Sequence, residues 1–229
     1  MNFEKDHIYH IYNQGNNKQK IFFINENYYF FIHKIKTHVL QFADILAWCL
    51  MPNHFHIMVY VNNPELTFRG TNKSRSQARN ETVGVTDNST GQARSHPDSS
   101  KRSLNNSIGI MLRSYTRAVN IQEKRSGALF REETKAECMT NSSGITPAFF
   151  NTNNGTLINI PLNAKEYPQI CFDYIHNNPV KAGLVANPEE WEFSSFREFF
   201  GEKILVNKTR VMQLKLKYLP DIGLQTHFN

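Results

Sequence analysis

The stretch from Ala47 to Val61 constrains the fold more than any other part of the chain. Two apolar runs meet at Met51-Pro52-Asn53, which reads as an antiparallel hairpin with strands over about Ile45–Leu50 and His54–Val61. Side chains alternate faces along a strand, so His54 and His56 point one way while Phe55 enters the opposite layer. Two adjacent imidazoles in an apolar segment admit two readings. They are separately hydrogen-bonded polar residues at a strand end, or a pair of metal ligands, neutral imidazole being the commonest metal-binding side chain. The pair alone does not decide.

The rest of the chain supplies partners for this hairpin. His7 to Asn13 mixes β-branched and aromatic residues before the turn cluster Gln14-Gly15-Asn16-Asn17, giving a first strand. Tyr28, Phe31, Ile32, Ile35, Val39 and Phe42 fall on one face of a helix that opens at Asn25 and ends near Ala43. Ile108, Met111, Leu112, Tyr115, Ala118 and Val119 mark a second helix, closed by Lys124-Arg125-Ser126-Gly127. A fourth strand follows over Thr134–Met139. A third helix over Lys165–Asn178 carries Ile170, Cys171, Tyr174 and Ile175, and Pro179 predicts its end at Asn178. Strand, helix, strand, strand, helix, strand, helix is the order of a ferredoxin-like α+β sandwich with an extra helix, an antiparallel sheet with helices packed on one face.

Two polar stretches interrupt this order, at about 65–103 and 140–163. The first holds few sizeable apolar residues and is expected to be disordered, because it cannot bury enough surface to offset its ordering entropy. In the second, Ala148-Phe149-Phe150 and Leu157 to Ile160 are expected to form a small hairpin. Residues 1–200 then form one domain, with Glu189 to Gly201 as a peripheral segment and residues 201–229 as a basic C-terminal extension. Cys49, Cys138 and Cys171 lack framework spacing and read as reduced core residues. With no signal pattern and no run approaching 18 apolar residues, a cytoplasmic protein without a membrane partner is expected. The net charge of +6 favours polyanionic partners such as nucleic acid.

Tyr174 and Asn178 are spaced i and i+4 and share one helical face. If that face meets the sheet face bearing His54 and His56, one pocket holds two imidazoles, an amide oxygen and a phenol. Mixed N/O ligation with open positions suits Mg²⁺ or Mn²⁺ in a phosphoryl-transfer site. The phenol would be the nucleophile, forming a phosphotyrosine. Standing alone, a tyrosine at such a position is far more often core packing than catalysis.

Leu50-Met51-Pro52-Asn53-His54-Phe55-His56 resembles the histidine-hydrophobe-histidine motif of the single-tyrosine transposases of the HUH superfamily. Asp173 to Gly183 resembles the tyrosine helix of one branch, the transposase-like proteins associated with repetitive extragenic palindromes. Tyr12 to Asn17 and Arg125 to Arg131 resemble that branch's opening strand and turn and the segment after its central helix. The resemblance spans most of residues 7–200 outside the two insertions. It implies a ferredoxin-like fold and cleavage of single-stranded DNA beside a hairpin, leaving a 5′-phosphotyrosine and a free 3′-OH. It makes Tyr174 the nucleophile and His54, His56 and Asn178 the ligands of Mg²⁺ or Mn²⁺. Many relatives carry glutamine where Asn178 stands; the shorter amide still offers a carbonyl oxygen.

Tyr115 is the rival nucleophile, but it lacks an amide partner one turn on. Arg113, Arg117, Lys124, Arg125, Arg131 and Lys181 are candidate DNA phosphate contacts, which set position and salt dependence. Two other functions remain open. One is a domesticated module that binds structured single strands without cutting them, and the other is a zinc hydrolase built on the same histidines. The family's branches include monomers and homodimers that exchange tyrosines.

Overall fold

The computed structural model describes residues 1–69, 99–140, 149–152, 155–158 and 167–217. β1 (Ile8–Gln14), α1 (Asn25–His38), β2 (Ala43–Met51), β3 (His54–Val61), α2 (Leu104–Gln122) and β6 (Lys135–Cys138) follow the predicted order. The four strands form an antiparallel sheet in the order β2-β3-β1-β6, the ferredoxin-like arrangement expected from the sequence. Register sets what shares a face. Cys49 lies opposite His56 on β2 and Tyr12 opposite His56 on β1, while Leu50 and Asn13 lie opposite Phe55.

The Phe55 face carries the main core. α1 buries Tyr28, Phe31, Ile32 and Ile35, and α2 buries Ile108, Met111, Tyr115 and Val119, each set at helical spacing. Ser103 starts α2 by accepting from the Asn106 backbone N–H (3.2 Å). The two helices pack on each other, and Phe31 meets both Phe55 and Tyr115 with ring centroids 5.0 and 4.9 Å apart. The expected layer of helices on one face is this pair.

α3 (Tyr167–Lys181) lies across the other face, against β2 and β3. It runs past Pro179 rather than ending at Asn178. A proline late in a helix forfeits only one backbone bond, and here the next turn closes through Ala182 N–H to Asn178 C=O (3.0 Å) and Leu184 N–H to Pro179 C=O (3.0 Å). The proline ring is itself buried.

The segment from Glu189 is not peripheral, and the domain does not end at residue 200. Phe193 C=O accepts from Leu50 N–H, and Asn207 N–H donates to Ile45 C=O, so this segment covers the free edge of β2. Glu198 is fully buried; its Oε1 accepts from Trp48 Nε1–H (2.6 Å) and its Oε2 from the N–H groups of Ile204, Leu205 and Val206 (2.8–2.9 Å). That satisfies a buried carboxylate. Leu205, Val206, Val211 and Leu216 join the core, and Arg210 on α4 (Lys208–Gln213) pairs with Asp44 at 2.9 Å. The basic residues of this stretch had masked its interleaved apolar ones.

The first insertion has an ordered stem. β4 (Glu65–Arg69) pairs with β5 (Ser99–Ser103), and Leu66 packs against the core. β7 (Phe149–Thr152) pairs with β8 (Gly155–Ile158), the hairpin expected in the second. The expected disorder of residues 70–98 falls outside the described residues, as do residues 141–148, 153–154, 159–166 and 218–229, which include Ala148, Asn159 and Ile160 of the expected hairpin and the expected helix start at Lys165. Among the described residues no helix is long and apolar enough to cross a membrane.

Candidate active site

His54 and His56 stand at the start of β3, where the Pro-Asn turn releases the chain into the sheet, and their rings lie 5.0 Å apart. α3 delivers Tyr174 and Asn178 onto the same face one turn apart. His54 Nε2 is 3.3 Å from Asn178 Oδ1, and Asn178 Nδ2 is 3.3 Å from His56 Nε2. The Tyr174 ring stands edge-on to His56 at 5.4 Å. Four residues separated by up to 124 positions thus converge within one chain.

The protons in this cluster are constrained by its surroundings. Asn53 Nδ2 donates to Lys18 C=O (3.3 Å), so its Oδ1 faces His54 and accepts from Nδ1–H at 2.6 Å. The Nε2 lone pair of His54 therefore faces the amide oxygen of Asn178, two acceptors with no proton between them. A cation resolves that opposition. Ligand atoms about 2.1 Å from an octahedral cation stand about 3 Å apart in cis positions, close to the 3.3 Å between His54 Nε2 and Asn178 Oδ1, so this imidazole–amide oxygen pair fits a divalent metal. Among the described residues no three His, Cys, Asp or Glu side chains cluster as a metal site; the third donor of the expected set, Asn178, is an amide and falls outside those residue types. Burial holds the pKa of His54 below its ordinary value against an upward pull from Asn178, and burial with neighbouring His10 and His54 holds His56 well below. Neutral imidazoles are what a metal requires.

Sequence reasoning missed His10. It is buried, with its ring centroid 5.0 Å from that of His56 and its Nε2 2.9 Å from His56 Nδ1. Burial lowers its pKa to about 4. The signal was present in β1, where His10 and Tyr12 alternate with apolar Tyr9 and Ile11 as the motif histidines do in β3.

Three tyrosines bear on the nucleophile. Tyr174 is 38% exposed. Burial raises its pKa, partly opposed by a hydrogen bond from Asn178 that favours the phenolate. Lys181 Nζ stands over the Tyr174 ring at 5.5 Å. Tyr12 also flanks His56, but its hydroxyl donates to Glu137 Oε1 at 2.5 Å, and burial and that carboxylate push its pKa up. Tyr115 lies on the opposite face of the sheet, fully buried, donating to Ile21 C=O at 2.7 Å. It is a core residue and cannot reach the histidines.

Five of the six candidate DNA contacts line one cavity. Arg113 and Arg117 on α2, with Lys124, Arg125 and Arg131 beyond it, surround a groove of about 780 Å³ whose wall includes Asn13, Phe130 and Glu132. Asn13 reaches this groove from one face of β1, while its neighbour Tyr12 lies on the histidine face. Lys181 is apart from the groove, beside Tyr174.

Neither the protein-family models nor the curated proteins include a match to this chain. Among solved structures, that of a REP-associated tyrosine transposase bound to a REP hairpin matches with a TM-score of 0.51 over 89% of this chain and 85% of the other. The two sequences are 15% identical. The chain therefore shares the fold of that transposase.

Proposed function

We propose that the protein is a single-tyrosine HUH transposase, a metal-dependent single-stranded DNA endonuclease and strand-transferase acting beside hairpins. The observation that carries this reading is the convergence of His54 Nε2 on the Asn178 amide oxygen and of His56 Nε2 on the same amide's nitrogen, each at 3.3 Å, with a partly exposed tyrosine against them. The hairpin bound to the transposase of similar fold supports hairpin DNA as the partner.

Bound Mg²⁺ or Mn²⁺, held by His54, His56 and Asn178, would polarise a phosphate oxygen and offset charge developing at phosphorus. Tyr174 Oη attacks phosphorus as its proton passes to solvent. The Tyr–O–P bond forms, the bond from phosphorus to the 3′-oxygen breaks, and that oxygen leaves as a protonated 3′-OH. Asn178 then has two roles, since the amide that completes the donor set also favours the phenolate form of Tyr174. Lys181 adds positive charge beside the developing phenolate. The Arg113–Arg131 groove holds phosphates of the hairpin, which fixes position without reading sequence. Because all four residues come from one chain, each protomer carries a self-contained site.

A labelled hairpin substrate with Mn²⁺ tests this. The wild-type protein is expected to form an adduct that resists denaturation, Tyr115→Phe to retain it, and Tyr174→Phe to lose it while still binding the hairpin. Hairpin binding with no adduct from wild-type protein would leave a binding module; hydrolysis of small esters with retained zinc would indicate the hydrolase.

A further inference from the structure

His10 Nε2 and His56 Nδ1 face each other at 2.9 Å inside the protein. Two neutral imidazoles sharing such a bond hold one proton between those nitrogens, and its placement fixes the tautomer of both rings. If His10 donates, His56 carries its other proton on Nε2 and cannot offer a lone pair toward Asn178. If His56 donates from Nδ1–H, its Nε2 lone pair is free. The amide orientation favours the second arrangement, because Asn178 Nδ2, a donor, faces His56 Nε2 at 3.3 Å.

We infer that His10 is a positioning residue that accepts from His56 Nδ1–H and so presents the His56 Nε2 lone pair to the cation. It does for His56 what Asn53 Oδ1 does for His54 at 2.6 Å, so each motif histidine has its own acceptor at the nitrogen turned away from the metal. Ligating histidines commonly have such partners, whose loss costs about 10- to 100-fold in metal affinity. The bond joins two rings inclined by only 26° with centroids 5.0 Å apart, an edge-to-edge arrangement that also restricts rotation of His56. This inference rests on the reading of His54, His56 and Asn178 as the metal-holding set.

The first measurement needs no variant. Long-range ¹H–¹⁵N spectra of the metal-free protein, with the imidazoles ¹⁵N-labelled, report the tautomer of each ring. His56 is expected as the Nδ1–H form, and an Nε2–H form overturns the inference. Mn²⁺ titration followed by electron paramagnetic resonance then compares His10→Phe, which keeps a ring but removes the acceptor, with His10→Gln, whose amide oxygen can accept. His10→Phe is expected to bind Mn²⁺ about 10- to 100-fold more weakly with His56 no longer held as Nδ1–H, and His10→Gln to recover most of the affinity. Wild-type affinity in His10→Phe overturns the inference; if His54→Ala still abolishes Mn²⁺ binding, the reading of the metal site survives. Absence of Mn²⁺ binding by the wild-type protein overturns both.

Discussion

Replacing Arg113 and Arg117 by glutamine removes two of the five cations lining the groove beside α2. Both are exposed and stand one turn apart on the helix, so the double variant leaves the core untouched. Each arginine that no longer neutralises a duplex phosphate lowers the slope of log Kd against log salt by about 0.9. If both arginines meet the hairpin stem, the slope falls by about 1.8, and at about 0.1 M salt binding weakens roughly 60-fold relative to a high-salt limit near 1 M where the difference vanishes. Fluorescence anisotropy of a labelled hairpin across a salt series measures both quantities. Lys36→Gln/Lys203→Gln, two exposed lysines outside the groove, should leave the slope unchanged. An unchanged slope in the arginine variant, or an equal fall in the control, would refute the groove as the phosphate-binding surface.

Gly15→Ala should destabilise the fold by more than about 2 kcal/mol in urea titrations, because a Cβ there would stand 2.1 Å from the Gln19 carbonyl oxygen; wild-type stability would show that the turn yields freely. Acid should destabilise the protein through His176, fully buried and neutral, whose pKa burial lowers to about 3 while its Nε2 shares a hydrogen bond with Ser195 Oγ (2.8 Å). Its folded pKa lies below the unfolded value near 6.5, so this stability is fully present above about pH 6.5 and is lost as pH falls toward about 3. The loss is on the order of 4 kcal/mol, and a His176→Gln variant whose stability profile is no flatter across that window would contradict it. Asn178→Ala should abolish Mn²⁺ binding detected by paramagnetic resonance; retained affinity would show that the two histidines suffice.

The candidate site was legible because its signals are local. The i, i+2 spacing of His54 and His56 and the i, i+4 spacing of Tyr174 and Asn178 each define a face without knowledge of the fold, and the strand and helix order brings those faces together. His10 was not legible in the same way, since it meets His56 diagonally across β1 and β3 and only the register reveals that. The edge cover of β2 was misread for a related reason. Glu198 looks like a surface charge until the amides of residues 204–206, which satisfy it, are in place. Pro179 shows a local rule yielding to packing: the last turn of α3 forgoes one bond while burying the proline ring. Arg113, Arg117, Lys124, Arg125 and Arg131 read as separate charges along the chain, and the turn after α2 gathers them around one groove.

The central claim is that Tyr174 becomes covalently joined to DNA. After reaction with a hairpin substrate and Mn²⁺, tryptic digestion should release the peptide 166–181, which contains both Tyr167 and Tyr174. The account predicts fragmentation that places a nucleotide 5′-phosphate on Tyr174. A phosphate on Tyr167, on Tyr12 or on Tyr115, or no nucleotide-bearing peptide from protein that binds both Mn²⁺ and hairpin, would contradict it.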